Sequence, residues 1–365
     1  MAITAGMVKE LREMTGAGMM DCKKALSETN GDMDAAVEFL RKNGQAKAEK
    51  KAGRIAAEGI VKTVVKDDKV AAIVEVNSET DFVAKNEKFQ TFEANVVKQI
   101  VNSDAADVEA LYAEPWALDT SKTVKDELTS QIAVIGENMN IRRFKKIVSD
   151  GVVVSYIHAG GKIGVLVEAD AQANETVEAS MKTIAMQIAA MSPQYISRED
   201  ISDDELAKMR EITIDSALND VASLPKPIQK DIFAEALSTD ALSAEDKAIL
   251  EEKQNDKYLF NFLSKEAIAS LAAISMSKKE EICANKIFNG LVEGRISKQL
   301  KEVCLLDQTY VMAADGKQTV KAYLAEVSKE VGATVALKSF VRFETGEGIE
   351  KKEEDFAAEV AKQMQ

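Results

Sequence analysis

The chain has 365 residues, with 47 lysines and arginines against 61 aspartates and glutamates, a net charge of -14. That balance excludes a duplex nucleic-acid binder, whose phosphate contacts need a basic face, and favours a soluble protein with a basic or mixed protein partner. The length suits roughly two to three domains, and no run approaches the ~18 apolar residues of a membrane-spanning helix.

Residues 1–54 read as three short helices. Val8, Leu11 and Met14 form one apolar stripe that Thr15-Gly16 stops, and Met19, Cys22 and Leu26 form a second. Asn30-Gly31-Asp32 then turns into a third helix carrying Met33, Val37 and Leu40. Gly44 suits the left-handed position after a helix end, and the polar stretch from Gln45 to Arg54 reads as a linker with solvated charges.

Beyond the linker lies an internal repeat, spread over residues 55–148 and 149–200. Gly59-Ile60-Val61 up to Lys69-Val70-Ala71-Ala72-Ile73-Val74-Glu75-Val76-Asn77 parallels Gly151-Val152-Val153 up to Lys162-Ile163-Gly164-Val165-Leu166-Val167-Glu168-Ala169-Asp170. Each half is a β-hairpin, turning at Lys66-Asp67-Asp68 in one and His158-Ala159-Gly160-Gly161 in the other. A helix follows each: Phe89, Phe92, Val96 and Ile100 mark the first, and Val177, Met181, Ile184, Ile188 and Met191 the second. Strands at 141–148 and 334–343 complete two similar α+β subdomains.

Between the first hairpin and its helix stands Thr80-Asp81-Phe82-Val83-Ala84-Lys85-Asn86, which puts a carboxylate and a phenyl ring side by side at the exit of a strand. An aromatic at such a tip is an anchor for a partner's pocket, with the acid beside it meeting a polar or metal-bearing site, or else the ring folds back into its own core.

Residues 201–302 interrupt the second repeat with an Ala-, Glu-, Lys- and Leu-rich helical excursion, broken at Pro225-Lys226-Pro227 and most apolar at Tyr258-Leu259-Phe260-Asn261-Phe262-Leu263. The chain returns along Phe288, Leu291, Ile296 and Leu300, and residues 303–345 finish the second subdomain. Residues 346–365 place Phe356, Val360 and Met364 on one face of an acidic helix, which packs on its own domain or on a partner.

Several chemistries are missing. One histidine cannot build a His-rich zinc site, and Cys22, Cys283 and Cys304 have no C-x-x-C spacing, so neither metal nor cofactor is expected. Three scattered cysteines fit a reducing cytoplasm, and the start Met1-Ala2-Ile3-Thr4-Ala5 indicates neither secretion nor membrane insertion. Thr15-Gly16-Ala17-Gly18 lies between helices rather than after a strand, which fails the test for a dinucleotide loop, and no G-x-x-x-x-G-K-[ST] exists. Cys22 reads as a buried helical residue and Ile135 as core. His158, at a hairpin tip beside small residues, reads as a solvated turn residue or a contact.

The stretch Asn77-x-x-Thr80-Asp81-Phe82-Val83-Ala84-Lys85-Asn86 resembles a signature of the bacterial translation elongation factor Ts family. Leu11-Arg12-x-x-Thr15-Gly16-Ala17-Gly18-Met19-Met20-Asp21-Cys22-Lys23-Lys24-Ala25-Leu26 is similar to that family's amino-terminal motif. Further similar blocks are Ile135-Gly136-Glu137-Asn138-Met139-Asn140-Ile141-Arg142-Arg143, Tyr156-Ile157-His158-Ala159-Gly160-Gly161-Lys162-Ile163-Gly164 and Phe343-Glu344-x-Gly346-Glu347-Gly348-Ile349.

The resemblance implies an α+β fold: an N-terminal three-helix, ubiquitin-associated-like module, two repeated core subdomains of antiparallel sheet plus helices, an enlarged coiled-coil finger at 201–302 and a C-terminal helical module. It implies a guanine-nucleotide exchange factor, without covalent chemistry, that binds elongation factor Tu in its GDP form and promotes GDP release so that GTP rebinds. Asp81 and Phe82 would be the exchange wedge, and Met19, Met20, Lys23, Thr80, Val83, Ile135, Gly136 and His158 partner contacts. No direct nucleic-acid or membrane contact is implied, and the stoichiometry, including a higher-order complex, stays open. The alternative from the residues alone is a scaffold that binds a helical partner and accelerates nothing; an enzyme would need an acid, base and nucleophile that cannot be assembled here.

Overall fold

The computed structural model describes residues 3–350. It is a mixed helix and sheet protein of two compact units, one formed by Pro193–Lys321 and the other by the rest.

The chain opens with α1 (Ala5–Thr15), α2 (Met19–Glu28) and α3 (Met33–Lys51). Thr4 and Asp32 cap α1 and α3 by accepting the N–H groups of Met7 and Ala35, the usual remedy for the unpaired donors of a helix start. Val8, Leu11, Cys22, Ala25, Leu26 and Ala36 make a small core of their own. The expected end of the third helix at Gly44 is corrected, because α3 runs through Gly44 to Lys51 and the stretch read as a linker is largely helical. Gly44 is buried, and a Cβ on it would stand 3.4 Å from the Ala133 Cβ of a later helix. Its role is to let two helices approach, which a single sequence does not distinguish from a helix stop.

Next come β1 (Glu58–Lys66), β2 (Val70–Ser78), α4 (Asp81–Ala84), α5 (Glu87–Asn102), α6 (Val108–Ala113), the short hairpin β3 (Pro115–Trp116) and β4 (Asp119–Thr123), α7 (Val124–Ile135) and β5 (Met139–Val148). The order β1-β2-β5 makes an antiparallel sheet, and Asp67 and Asp68 turn its hairpin with φ of 53° and 54°. Two consecutive positive φ angles match the twist of the strands they join. The second hairpin, β6 (Val152–His158) and β7 (Ile163–Asp170), is followed by α8 (Glu175–Met191), as the repeat demands.

The Pro193–Lys321 unit contains α9 (Asp203–Asn219), α10 (Lys226–Ser238), α11 (Ala244–Lys253), α12 (Lys265–Ser277), α13 (Lys279–Cys283) and α14 (Lys286–Val303). Ser202, Ser243 and Ser264 cap α9, α11 and α12 through their hydroxyls. In place of the enlarged coiled-coil finger that the resemblance implied, these helices share a core of their own that includes Leu218, Ile232, Phe233, Leu250, Leu259, Leu271, Phe288 and Val292. The unit also begins before residue 201 and ends after 302, since Tyr195 bridges to Cys304 and Arg198 pairs with Asp307 at 2.5 Å. The sequence reading missed this because each helix has an ordinary apolar stripe, and stripes do not say which helices share a core.

The chain then passes through α15 (Val320–Val331) to β8 (Ala336–Glu344), which completes the sheet β6-β7-β8. The two three-stranded sheets pack face to face through Val61, Ala71, Ile73, Ile147, Val153 and Leu166. On the outer face of the first sheet, Ala72, Val74 and Val76 meet Phe89, Phe92, Val96 and Ile100 of α5. Strand β2 is thus covered on both faces, which is why Val70 to Val74 are apolar without alternation. Both repeats carry a register shift at the same place, after Glu75 in β2 and after Glu168 in β7. The terminal helix expected over 346–365 lies outside the described residues from 351 onward.

Candidate functional site

Strand β2 ends at Ser78, and Thr80 caps a single helical turn, α4, by accepting the Val83 N–H at 3.3 Å. Asn86 then caps α5 by accepting the Lys88 N–H at 2.9 Å. So short a helix has one inner face, and Ala84 and Val83 occupy it against the core. Phe82 is left outside with 80% of its surface exposed. The reading in which the ring folds back into its own core is therefore excluded.

Asp81 accepts a hydrogen bond from the Lys85 ammonium at 2.7 Å, one helical turn away. That bond, and then the charges of Lys85 and Lys162, hold its carboxyl below the usual range, so it is anionic at neutral pH. Since Lys162 follows the second hairpin turn, that turn lies within electrostatic reach of the Asp81 tip.

The tip is clamped from behind. Glu137 accepts the Thr80 N–H at 3.0 Å and the Thr80 hydroxyl at 2.7 Å, one bond to each carboxylate oxygen. Glu79 in turn accepts the Asn138 N–H at 2.6 Å, and the Asn138 amide donates to the Arg54 carbonyl at 2.8 Å. These bonds bring the end of α7 beside the tip. Ile135 is its last residue, half-buried against the same core as Val83, and Gly136 closes the helix at φ 92°. Thr80, Asp81, Phe82, Val83, Ile135 and Gly136 therefore form one neighbourhood.

His158 ends β6 in an exposed position, its Nδ1 3.0 Å from the Tyr156 hydroxyl. Lys162, beyond its turn, pairs with Glu58 of β1 at 2.6 Å. Met19, Met20 and Lys23 project from α2, whose Cys22, Ala25 and Leu26 face inward. Met19 is 58% and Met20 74% exposed, and Met14 near the end of α1 is exposed as well. Burial pushes the Cys22 thiol up, against any role as a thiolate.

Among the described residues, no group of three or more His, Cys, Asp or Glu side chains is arranged to hold a metal ion, and no helix is long and apolar enough to cross a membrane. A cleft of about 1150 Å³ is walled by α3, α5 and α7 but includes neither the Asp81 tip nor His158. Glu79, Glu137, Asn138 and Lys162 were missed by the sequence reading. All four stand inside or next to the matched blocks, yet the bonds join residues 57 and 59 positions apart, which no local pattern announces.

The sequence matches the family model described as Elongation factor TS over residues 79–347. Curated relatives named Elongation factor Ts include that of Clostridium tetani, 45% identical over the whole of both chains. That of Clostridium novyi is 45% identical over 99% of each chain. That of Clostridium perfringens strain SM101 is 46% identical over 99% of this chain and 98% of the relative.

Proposed function

Since this chain belongs to the elongation factor Ts family of translation elongation factors, we propose that it is the guanine-nucleotide exchange factor of elongation factor Tu. It binds the GDP form of that GTPase in the cytoplasm, speeds release of GDP and leaves GTP to rebind, without covalent chemistry. The warrant is linkage: a protein that binds the nucleotide-free GTPase more tightly than the GDP form weakens GDP binding by the same factor.

The observation that carries this reading is Phe82, 80% exposed on a helical turn whose cap residue Thr80 is clamped by Glu137. Because the turn that carries it is already fixed, the ring has only its own side-chain torsions to lose on entering an apolar slot. Burying it is worth roughly 1.5–3 kcal/mol, a tenfold to hundredfold effect. Asp81 beside it brings negative charge to the ligands of the nucleotide's Mg²⁺ in the partner. Ile135 and Gly136 extend this contact. The ubiquitin-associated-like module offers Met19, Met20 and Lys23 to the GTPase domain, and His158 reaches another domain of the partner.

The test is release of a fluorescent GDP analogue from elongation factor Tu in excess unlabelled nucleotide, with the parent chain and with Phe82→Ala. The parent accelerates release, and Phe82→Ala loses about tenfold to a hundredfold with its fold intact. Binding of the GTPase by a folded parent without acceleration would replace this reading with that of a scaffold.

A further inference from the structure

Glu75 is a fully buried carboxylate that nucleotide exchange, as set out above, leaves without a role. Four donors from three parts of the chain converge on it: Arg143 Nε at 2.6 Å, the Gly346 N–H at 2.8 Å, and Arg142 Nη1 and Asn77 Nδ2 at 3.0 Å each. Burial by itself pushes its pKa up, but the Gly346 N–H, the Asn77 amide and the two guanidinium groups outweigh burial and hold it below the usual carboxylate range. It is a buried charge matched by two half-buried guanidinium groups and by the amide and backbone donors around it.

What those partners hold is the chain as it leaves β8. Arg143 stacks over Phe343 at 4.3 Å and donates to the Glu344 carbonyl at 3.1 Å and the Glu347 carboxylate at 3.0 Å. Arg142 donates to the Glu347 carbonyl. Gly346 has φ +74°, and a Cβ there would stand 2.2 Å from the Ala57 carbonyl oxygen, so only glycine lets this turn descend onto the carboxylate.

The same turn is tied to the second hairpin. The Thr345 N–H donates to the Lys162 carbonyl at 2.9 Å, and its hydroxyl donates to the Gly161 carbonyl at 3.2 Å. Gly161 and Lys162 close the loop that begins at His158. In the other direction, Asn77 binds both Glu75 and the Glu58 carbonyl, the latter at 3.0 Å, three residues before Thr80 caps the Phe82 turn. Glu75 thus stands between the two tips.

The repeat provides an internal comparison. Glu168 occupies the matching place beside the register shift of β7, accepts the Ser339 hydroxyl at 2.7 Å and pairs with Lys338 at 3.0 Å, both on the neighbouring strand of its own sheet. Glu75 shares that arrangement with Arg143 and adds the bond to Gly346, which belongs to the chain leaving the other sheet. Glu168 reaches the chain leaving the other sheet only through the Ser149 side chain, whereas Glu75 takes a backbone N–H from it.

We propose that Glu75 is a positioning residue for nucleotide exchange, fixing where the His158 turn stands relative to the Asp81–Phe82 tip so that both meet the GTPase together. This rests on the exchange-factor reading. The measurement is kcat/KM of GDP release for the parent, Glu75→Gln, His158→Ala and the double variant. Glu75→Gln keeps the shape but removes the charge, and lowers exchange about tenfold, as expected for hydrogen bonds to a charged group. His158→Ala slows exchange in the parent, but in the Glu75→Gln background it adds less than about twofold, because both substitutions remove the same contact.

Multiplying effects overturn the assignment, as would parental exchange rates in either single variant. Should Glu75→Gln fail to fold, as read by emission of the sole tryptophan, Thr345→Val instead weakens the tie by removing its hydroxyl bond to the Gly161 carbonyl while keeping the backbone bond to Lys162. The same non-additivity with His158→Ala is expected there, and multiplying effects again refute the proposal. A folded parent that accelerates nothing removes the exchange reading itself, an outcome separate from any pattern among the variants.

Discussion

Replacing Glu93 by Gln should stabilise the protein, increasingly so as the pH rises. Glu93 lies on the inner face of α5, one residue after Phe92, fully buried, and among the described residues neither of its carboxylate oxygens has a hydrogen-bond partner. Burial raises its pKa from 4.5 to about 8, with the charge of Lys62 opposing the rise too weakly to cancel it. The folded protein therefore holds a proton that the unfolded chain releases above pH 4.5, and stability falls as pH rises through the window from 4.5 to about 8. At pH 7 the 2.5 units above 4.5, at 1.36 kcal/mol each, make a penalty of about 3 kcal/mol. Between pH 5.5 and pH 8 the parent should lose about 3 kcal/mol through this group alone, whereas Glu93→Gln, which does not titrate, should lose none of it. Urea unfolding at several pH values, followed by emission of the single tryptophan, measures the difference directly. Trp116 is buried and its ring centre lies 6.0 Å from that of Phe92, so it reports the core that contains Glu93. Parallel stability curves for parent and variant across this pH range would refute the argument.

Two further outcomes follow from the geometry. Thr80→Ala removes both the cap of the Phe82 turn and one bond to Glu137, which should cost about 1 kcal/mol of local stability. In the GDP-release assay it should slow exchange while the Trp116 unfolding midpoint stays within about 0.5 kcal/mol of the parent; unchanged exchange would mean that the clamp is dispensable. In the helical unit, Asp246 is buried, accepts the Ser243 hydroxyl at 2.6 Å and the Ser264 N–H and hydroxyl at 2.9 Å each, and these hold its carboxyl below the usual range. Its stabilising effect is present above the ordinary aspartate pKa and is lost as the pH falls through the folded value. Asp246→Ala should cost about 2 kcal/mol, seen as an earlier loss of far-UV circular dichroism with no shift in the Trp116 signal; a shift of both signals together would show that the two units do not melt independently.

Much of the site could be read in the sequence because it is local. An acid and an aromatic between a strand and a helix must sit near a tip, and Thr80 and Asn86 are the residue types that cap helix starts. Which way Phe82 points was not legible, since both directions suit a ring at that place, and α4 settled it by giving the inner face to Val83 and Ala84. Glu93 shows the opposite failure: four residues after Phe89 and three before Val96, it falls on the apolar stripe, yet a reading that scores only apolar residues passes over it.

By itself, the sequence determined the three N-terminal helices, the repeated hairpins with the helix that follows each, and the place of the Asp81–Phe82 tip, because periodicity and capping act between residues within a few positions of one another. Only the tertiary structure decided that Gly44 continues a helix, that the insert is a bundle with a core of its own, and that Glu75 is bound by Arg143 and by Gly346, 68 and 271 positions away. Those facts depend on which surfaces pack together. A buried charge or a missing side chain has meaning only through the groups that packing brings to it.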